Sequence, residues 1–154
     1  MNKKEVLCWT IGILAVLCVA FIWGNSMTPG TDSGEMSGSV TEWINGVLQK
    51  ISPSWRVSHK FVRKAAHFTE FAILGALLAV NIRAFLPRRM SYVLGAIPCS
   101  FVIASVDETI QFFVKGRNCS FLDVLLDTSG ATAAVLVALA VFCIAEKQKK
   151  NKNT

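Results

Sequence analysis

The chain carries ionisable side chains inside or beside long apolar segments, where such groups are costly and rarely face lipid. In that setting carboxylates, imidazoles and guanidinium groups bind anions, transfer protons or hold metal ions. The candidate ligand-binding residues are Arg63, Lys64, His67, Glu70, Asp107, Glu108, Gln111, Arg117, Asp123 and Asp127. Among them, His67, Glu70, Asp107 and Glu108 are of types that act as general acids or bases, so they are the candidate catalytic residues.

The helical spacing of these residues predicts that they meet. At 100° per residue they fall on three stripes, each in a different apolar segment. The stripes are Arg63, His67, Glu70 and Leu74; Ser100, Ala104, Asp107 and Gln111, with Glu108 at the edge; and Asp123, Asp127, Ala131, Ala134 and Ala138. Glu70, Asp107 and Asp127 each lie about six residues, or roughly 9 Å, from the same end of the predicted segments. We therefore expect a polar pocket between three helices, with these acids at one depth.

The elements that position the stripes are predicted to be membrane-spanning helices. Of the 154 residues, 53% are hydrophobic, and they occur in long blocks. About 20 apolar residues in a helix cross a bilayer. Four blocks qualify: Val6–Trp23, Ala65–Leu86 (stopped by Pro87), Tyr92–Val114 and Phe121–Ile144. The predicted fold class is therefore all-α, a single polytopic membrane domain over residues 1–154.

The cations at the ends of the blocks predict the orientation, because short cytoplasmic loops are rich in Lys and Arg. Three groups fall on one side: Lys3 and Lys4; Arg83, Arg88 and Arg89; and Lys147, Lys149, Lys150 and Lys152. Both termini, including a basic tail at 146–154, are expected in the cytoplasm, and the pocket is expected outside. Four further cations are expected outside, against this trend: Arg56, Lys60, Arg63 and Lys64. Their position indicates that they have a role other than setting the topology. The net charge of +6 is assigned to topology and lipid headgroups, and no nucleic-acid partner is expected.

The outer segment between the first two spans contains a predicted amphipathic helix, Ser39–Ile51. It opens with the capping box "SVTE", its apolar residues recur on one face, and Pro53 ends it. We expect it on the outer leaflet or over the outer mouth of the bundle. The Gly/Ser/Thr-rich stretch "MTPGTDSGEMSGS" before it is expected to be a loop. The "KGRNCS" connection is expected to be a tight turn that folds Arg117 over the pocket.

The stretches "RKAAHFTEFAILG" and "DETIQFFVKGRNCSFLDVLLDTSG" resemble the VanZ-like family of membrane proteins, and the likeness covers nearly the whole chain. Family-typical positions are Arg63, Lys64, His67, Glu70, Asp107, Glu108, Gln111, Gly116, Arg117, Asp123 and Gly130. One position departs, since Asp127 stands where the family often has Asn, which adds a negative charge. The resemblance implies a small polytopic membrane protein associated with resistance to lipidated glycopeptide antibiotics such as teicoplanin.

Several functions remain open for the pocket. It can bind a lipid-linked cell-wall precursor or a lipoglycopeptide at the outer leaflet, with Arg63, Lys64 and Arg117 holding a phosphate or carboxylate. It can be a metal-assisted hydrolase or transferase acting on a lipid phosphate, although the sequence has no HExxH motif and the single pocket histidine is a weak zinc signal. It can also be a polar network for helix packing, with contacts worth about 0.6–2 kcal/mol each. Transport is disfavoured by the lack of an inverted repeat.

No resident cofactor or metal ligand is assigned from the sequence, and a divalent cation is considered only as an aid to hydrolysis or group transfer. The expected partners are the lipid bilayer and the envelope molecule. The oligomeric state and any catalytic activity are left open.

Overall fold

A computed structural model of the chain describes residues 2–86 and 89–152. It contains five helices: α1 (Lys3–Ser26), α2 (Gly30–Ile51), α3 (His59–Phe85), α4 (Arg89–Phe113) and α5 (Phe121–Lys152). Four stretches are long and apolar enough to cross a membrane: Glu5–Ser26, His59–Phe85, Ser91–Phe113 and Phe121–Lys152. The prediction of an all-α fold with four candidate spans and one additional helix is therefore confirmed. The expected stop at Pro87, the cation Arg88 and the last two residues of the tail lie outside the described residues.

The helices α3 and α5 pack closely because glycines face the partner backbone. A Cβ atom on Gly75 would lie 2.5 Å from the carbonyl oxygen of Ala131, and one on Gly130 would lie 2.4 Å from that of Phe68. Small residues permit such close approach between helices in membranes. Leu74, from the predicted stripe on α3, is fully buried beside this crossing. The crossing lies about one helical turn from Asp127, so it fixes the relative positions of the acid stripes.

Contacts between helices define two ends of the bundle. At the end that carries the termini, Arg83 of α3 donates a hydrogen bond to Glu146 of α5 at 3.0 Å. At the opposite end, the first N–H of α2, on Gly30, donates to the carbonyl oxygen of Lys115 at 3.1 Å. The helix α2 and the loop between α4 and α5 therefore lie together, away from the termini.

The predicted start of the amphipathic helix at Ser39 is wrong, because α2 begins at Gly30. The Ser39 hydroxyl does not cap a helix; it donates to the carbonyl oxygen of Glu35 one turn earlier, at 3.2 Å. The N-cap of α2 is Pro29, without a side-chain hydrogen bond. The bond from Gly30 to Lys115 replaces a local cap, so a tertiary contact makes a Gly/Ser-rich stretch helical against its propensity. The predicted end near Pro53 is confirmed.

Two further boundaries differ from the prediction. The helix α3 begins at His59, not Ala65, because the Ser58 hydroxyl caps it by accepting from the backbone N–H three residues on, at 3.2 Å. The helix α5 continues to Lys152, not only to Ile144. Alanine, glutamate, glutamine and lysine, which dominate this extension, are strong helix formers even without apolar packing.

Most apolar residues of α2 are largely exposed, although Met36 and Val40 also line a cavity beside α1 and α3. Trp43 and Ile51 are each 71% exposed, while Thr41 on the other side is buried. The Asn45 side chain ties α2 to the following segment, donating to the carbonyl oxygen of Val57 at 3.1 Å and accepting from its N–H at 2.8 Å. The helix therefore packs with part of its polar side and leaves an apolar strip exposed.

Candidate functional site

Three ionisable side chains from three helices meet near the α2 end of the bundle. The Nδ1 atom of His67, on α3, lies 4.0 Å from Oδ2 of Asp107, on α4, and 3.9 Å from Oδ2 of Asp127, on α5. One potential ligand atom from each residue lies within 4.8 Å of the other two. Both aspartates are fully buried. The predicted meeting of the three stripes is confirmed for these residues, which we call the inner cluster.

The first helix also contributes to the inner cluster, through an amide. The Gln111 side chain donates to Oδ2 of Asp107 at 2.9 Å and to the hydroxyl of Ser26 at 3.3 Å. Gln111, Asp107 and Ser26 are all buried. One oxygen of Asp107 is therefore held in place, and the carboxylate orientation is fixed.

The remaining carboxylate oxygens of the inner cluster lack donors. Oδ1 of Asp107 and both oxygens of Asp127 are buried and have no hydrogen-bond partner among the described residues, and the same holds for Nδ1 of His67. Burying such groups without partners is unfavourable. The inner cluster is therefore not a fully satisfied packing network by itself.

The other acids of α4 and α5 are already partnered. Lys64 forms an ion pair with Asp123, and both side chains retain some exposure. Glu108 accepts a hydrogen bond from the backbone N–H of Ser120 at 2.8 Å. These contacts lie at the entrance to a narrow cleft above the inner cluster, whose lining includes Arg63, Lys64, His67, Glu108, Gln111, Asp123 and Asp127.

Arg117 folds back over the pocket, as predicted, and it also bonds to the end of α1. Gly116 has a φ of +79°, which lets the loop turn there at little cost. The Arg117 guanidinium then donates from Nε to the carbonyl oxygen of Thr28 at 3.1 Å and from Nη2 to that of Asn25 at 2.7 Å. Two effects lower the pKa of Arg117: desolvation, which is the larger, and repulsion from Arg63. The group stays positively charged at neutral pH, because arginine is not deprotonated in proteins.

A second cavity, of about 320 Å³, lies between α1, α2 and α3, and Arg117 of the α4–α5 loop also lines it. We call it the larger cavity because its volume exceeds that of the narrow cleft. Its polar end is formed by Asn25, Arg63, His67, Glu70 and Arg117. Its walls include apolar side chains from all three helices, among them Phe21, Met36 and Val62. Arg63 and His67 line both this cavity and the narrow cleft, so the two spaces adjoin.

Glu70 does not join the inner cluster of His67, Asp107 and Asp127. Its Oε1 atom accepts from the Asn25 amide at 3.3 Å, and its buried Oε2 has no partner among the described residues. The amide at the end of α1 therefore directs Glu70 into the larger cavity. Asp107 and Asp127 are the acids that approach each other.

Sequence reasoning missed Asn25 and Ser26, because the predicted first span ended with the apolar run at Trp23. The structure continues α1 to Ser26. A periodic signal was present: Cys18, Ile22 and Ser26 follow one another at intervals of four, and Ile22 and Ser26 are fully buried. Extending that face beyond the apolar run would have placed both polar residues beside the pocket.

Comparison with known proteins identifies the family. A family model described as VanZ/LLP1 matches residues 11–143 of the chain. The matched range includes every residue of the inner cluster and of the polar end of the larger cavity. No curated protein and no solved structure matches the chain significantly.

Proposed function

This chain belongs to the VanZ/LLP1 family, and from that membership we propose that it is a bacterial cell-membrane protein that binds the anionic headgroup of a lipid-linked envelope molecule. The headgroup lies at the polar end of the larger cavity, and the hydrocarbon chain leaves along the apolar walls. At about 320 Å³ the cavity holds a headgroup and the start of a chain, not a whole lipid.

Two arginines facing one cavity are the observation that carries this proposal. Arg63 is partly buried and lines the cavity, and its guanidinium makes no hydrogen bond or ion pair with the described residues. Arg117 lines the same cavity and repels Arg63. A phosphate or carboxylate between them would relieve that repulsion, and guanidinium groups match such anions with parallel donors.

The surrounding surface suits an amphiphile. The cavity walls are apolar, and the exposed strip of α2 carries Met36, Val40, Trp43 and Ile51 on one side. An amphipathic helix with such a strip rests in the interfacial layer of a membrane. The helix α2 would then hold the cavity at the depth of lipid headgroups.

The cavity is proposed to face outside, with both termini cytoplasmic, because the lysines at the end of α5 mark the cytoplasmic side. Cys119 reports this orientation, since it is exposed in the α4–α5 loop while the other four cysteines lie in the candidate spans. We expect a membrane-impermeant maleimide to label Cys119 in intact cells, and the Cys119→Ser variant to lose that labelling.

The labelling is expected to accelerate with rising pH. Desolvation, followed by the nearby charge of Glu108, raises the pKa of the Cys119 thiol, so little reactive thiolate is present at neutral pH. A Lys149→Cys, Cys119→Ser double variant serves as the control and should react only after the cells are permeabilised. The opposite result would reverse the proposed orientation. In that result the double variant is labelled in intact cells, and Cys119 of the unsubstituted chain is not.

Binding is tested with farnesyl phosphate and its uncharged counterpart, farnesol, on the detergent-purified chain. We expect saturable binding of farnesyl phosphate by titration calorimetry, and binding of farnesol at least tenfold weaker, a difference of about 1.4 kcal/mol. Arg63→Ala should lower the affinity for farnesyl phosphate by at least about tenfold, because the substitution removes one partner of a buried charge pair.

Lys60→Ala is the matched control, because it removes a cation one turn away on α3 that does not line the cavity. It should bind farnesyl phosphate like the wild type. Equal affinity for farnesyl phosphate and farnesol, or an equal loss in both variants, would contradict the proposal. Unfolding of Arg63→Ala, seen by circular dichroism, would instead favour a packing role for the charged residues.

The proposal extends to protection against lipidated glycopeptides such as teicoplanin. These antibiotics act on cell-wall precursors at the outer leaflet, where the cavity is proposed to open. A protein that binds a lipid-linked anion in that layer is placed to alter access of the drug to its target.

A further inference from the structure

We propose that His67, Asp107 and Asp127 bind one divalent transition-metal ion, zinc or manganese, between α3, α4 and α5. The site lies beneath the larger cavity and uses side chains that the lipid proposal does not require, apart from His67, which lines both. Metal binding is measured without any lipid, so its failure is distinguishable from failure of the lipid proposal.

The geometry is close to that of a metal site. The imidazole Nδ1 lies 4.0 Å and 3.9 Å from one oxygen of each aspartate. Ligands at about 2.0–2.2 Å from a tetrahedral zinc ion are separated from each other by roughly 3.4 Å. The two carboxylate oxygens lie within 4.8 Å of each other, so modest side-chain movements would bring the three atoms to bonding distance. Three protein ligands also leave a fourth position for water or another molecule.

The unpartnered oxygens point to a ligand independently of the clustering. Asp127 is 1% exposed and Asp107 is 0% exposed. Three of their four carboxylate oxygens have no hydrogen-bond partner among the residues the structure describes. A buried carboxylate is normally hydrogen-bonded, paired with a cation or bound to a metal. A metal ion satisfies both aspartates and the His67 nitrogen at once.

No lysine or arginine among the described residues pairs with Asp107 or Asp127. Lys64 pairs with Asp123, and Arg117 donates to two carbonyl oxygens at the end of α1. Arg63 faces the cleft but forms no ion pair within the described residues. Two adjacent buried carboxylates repel each other unless one of them is protonated or a positive charge lies between them. A divalent ion supplies that charge at the point where it is needed.

The surrounding residues resemble the outer shell of a metal site. Gln111 donates to Asp107 and is itself close to the Ser26 hydroxyl, so the carboxylate is oriented before any ion binds. Such partners of ligating residues tune metal affinity. The mixed set of one imidazole and two carboxylates favours zinc or manganese over magnesium or calcium, which prefer oxygen ligands alone.

The test measures metal bound to the full-length chain in detergent. The protein is stripped with a chelator, incubated with zinc, manganese or magnesium chloride, and separated from free ions by gel filtration. We expect mass spectrometry of the elements to find about one zinc or manganese ion per chain, with magnesium lost during separation. The melting temperature should rise in the presence of the ion that is retained.

Asp127→Asn should lower the metal affinity by at least about tenfold, and Asp123→Asn is the matched control. The control removes a negative charge from the same end of α5, but from a residue paired with Lys64, so it should retain the ion. If Asp127→Asn does not fold, His67→Gln replaces it in the comparison. Wild-type protein that retains no zinc or manganese, or a control that loses metal as fully as Asp127→Asn, would overturn the proposal.

Discussion

Replacing Gly130 with valine is expected to separate α3 from α5 and to destabilise the chain by roughly 3 kcal/mol or more. A Cβ atom at this position would lie 2.4 Å from the carbonyl oxygen of Phe68, and 3.2 Å from its ring. The obstructing oxygen belongs to a helix backbone, which cannot rotate away as a side chain can. The two helices must therefore move apart, and small residues no longer allow their close contact.

The same substitution is expected to disrupt the functional site. Asp127 precedes Gly130 by one helical turn, so a displacement of α5 lengthens its distance to His67, now 3.9 Å. We expect a large fall in the melting temperature in detergent, measured by tryptophan fluorescence. We also expect loss of farnesyl phosphate binding. Gly46→Ala is the control, because a Cβ atom there meets nothing within 4 Å. It should be neutral or stabilising by up to about 1 kcal/mol. A Gly130→Val protein as stable as the wild type would show that this crossing is not close.

Replacing Arg117 with alanine is expected to have the second-largest effect, on both stability and binding. The substitution removes two hydrogen bonds to carbonyl oxygens at the end of α1, on Thr28 and Asn25. Hydrogen bonds to a charged group contribute about 1.5–3 kcal/mol each, so we expect a loss of roughly 2 kcal/mol or more. It also removes one of the two cations that face the larger cavity. The affinity for farnesyl phosphate should therefore fall by at least about tenfold.

Arg117→Lys separates the two roles of this residue. Lysine keeps the positive charge but has no planar fork, so it cannot make both carbonyl bonds in the same way. We expect the lysine variant to lose stability almost as alanine does while keeping more of the affinity for the phosphate ligand. Full stability with alanine would contradict the structural role. Unchanged affinity with alanine would contradict the binding role.

The spans and the acid stripes were predictable because both follow from periodic physical constraints. A helix needs about 20 apolar residues to cross a bilayer, and its buried polar groups must share one face. Those two rules located the candidate spans and brought His67, Asp107 and Asp127 together in advance. The fold of the Arg117 loop was also predictable, since glycine permits the turn that the loop requires.

The boundaries at the α2 end were not predictable, because distant residues determine them. The first N–H of α2 bonds to Lys115, which is far away in sequence, so no local cap marks Gly30 as a helix start. Hydropathy likewise ended α1 too early, since Asn25 and Ser26 are polar but face the interior. The contact of Glu70 with α1 was not predicted, because Asn25, its partner, was not recognised.

The sequence also did not predict which partner each charged side chain contacts. Helical spacing shows which residues share a face, but not which of several nearby groups a long side chain selects. Glu108 pairs with the backbone of Ser120, and Lys64 selects Asp123. These contacts leave the inner cluster short of donors, which is the feature that suggests a metal ion.

The central claim is that Arg63 and Arg117 hold a lipid phosphate at the polar end of the larger cavity. The most direct measurement is the phosphorus position in a crystal structure of the chain with farnesyl phosphate. We predict phosphate oxygens about 2.7–2.9 Å from guanidinium nitrogens of both arginines, with the farnesyl chain against the apolar walls. A phosphate bound elsewhere, or arginines turned away from it toward solvent, would contradict the claim.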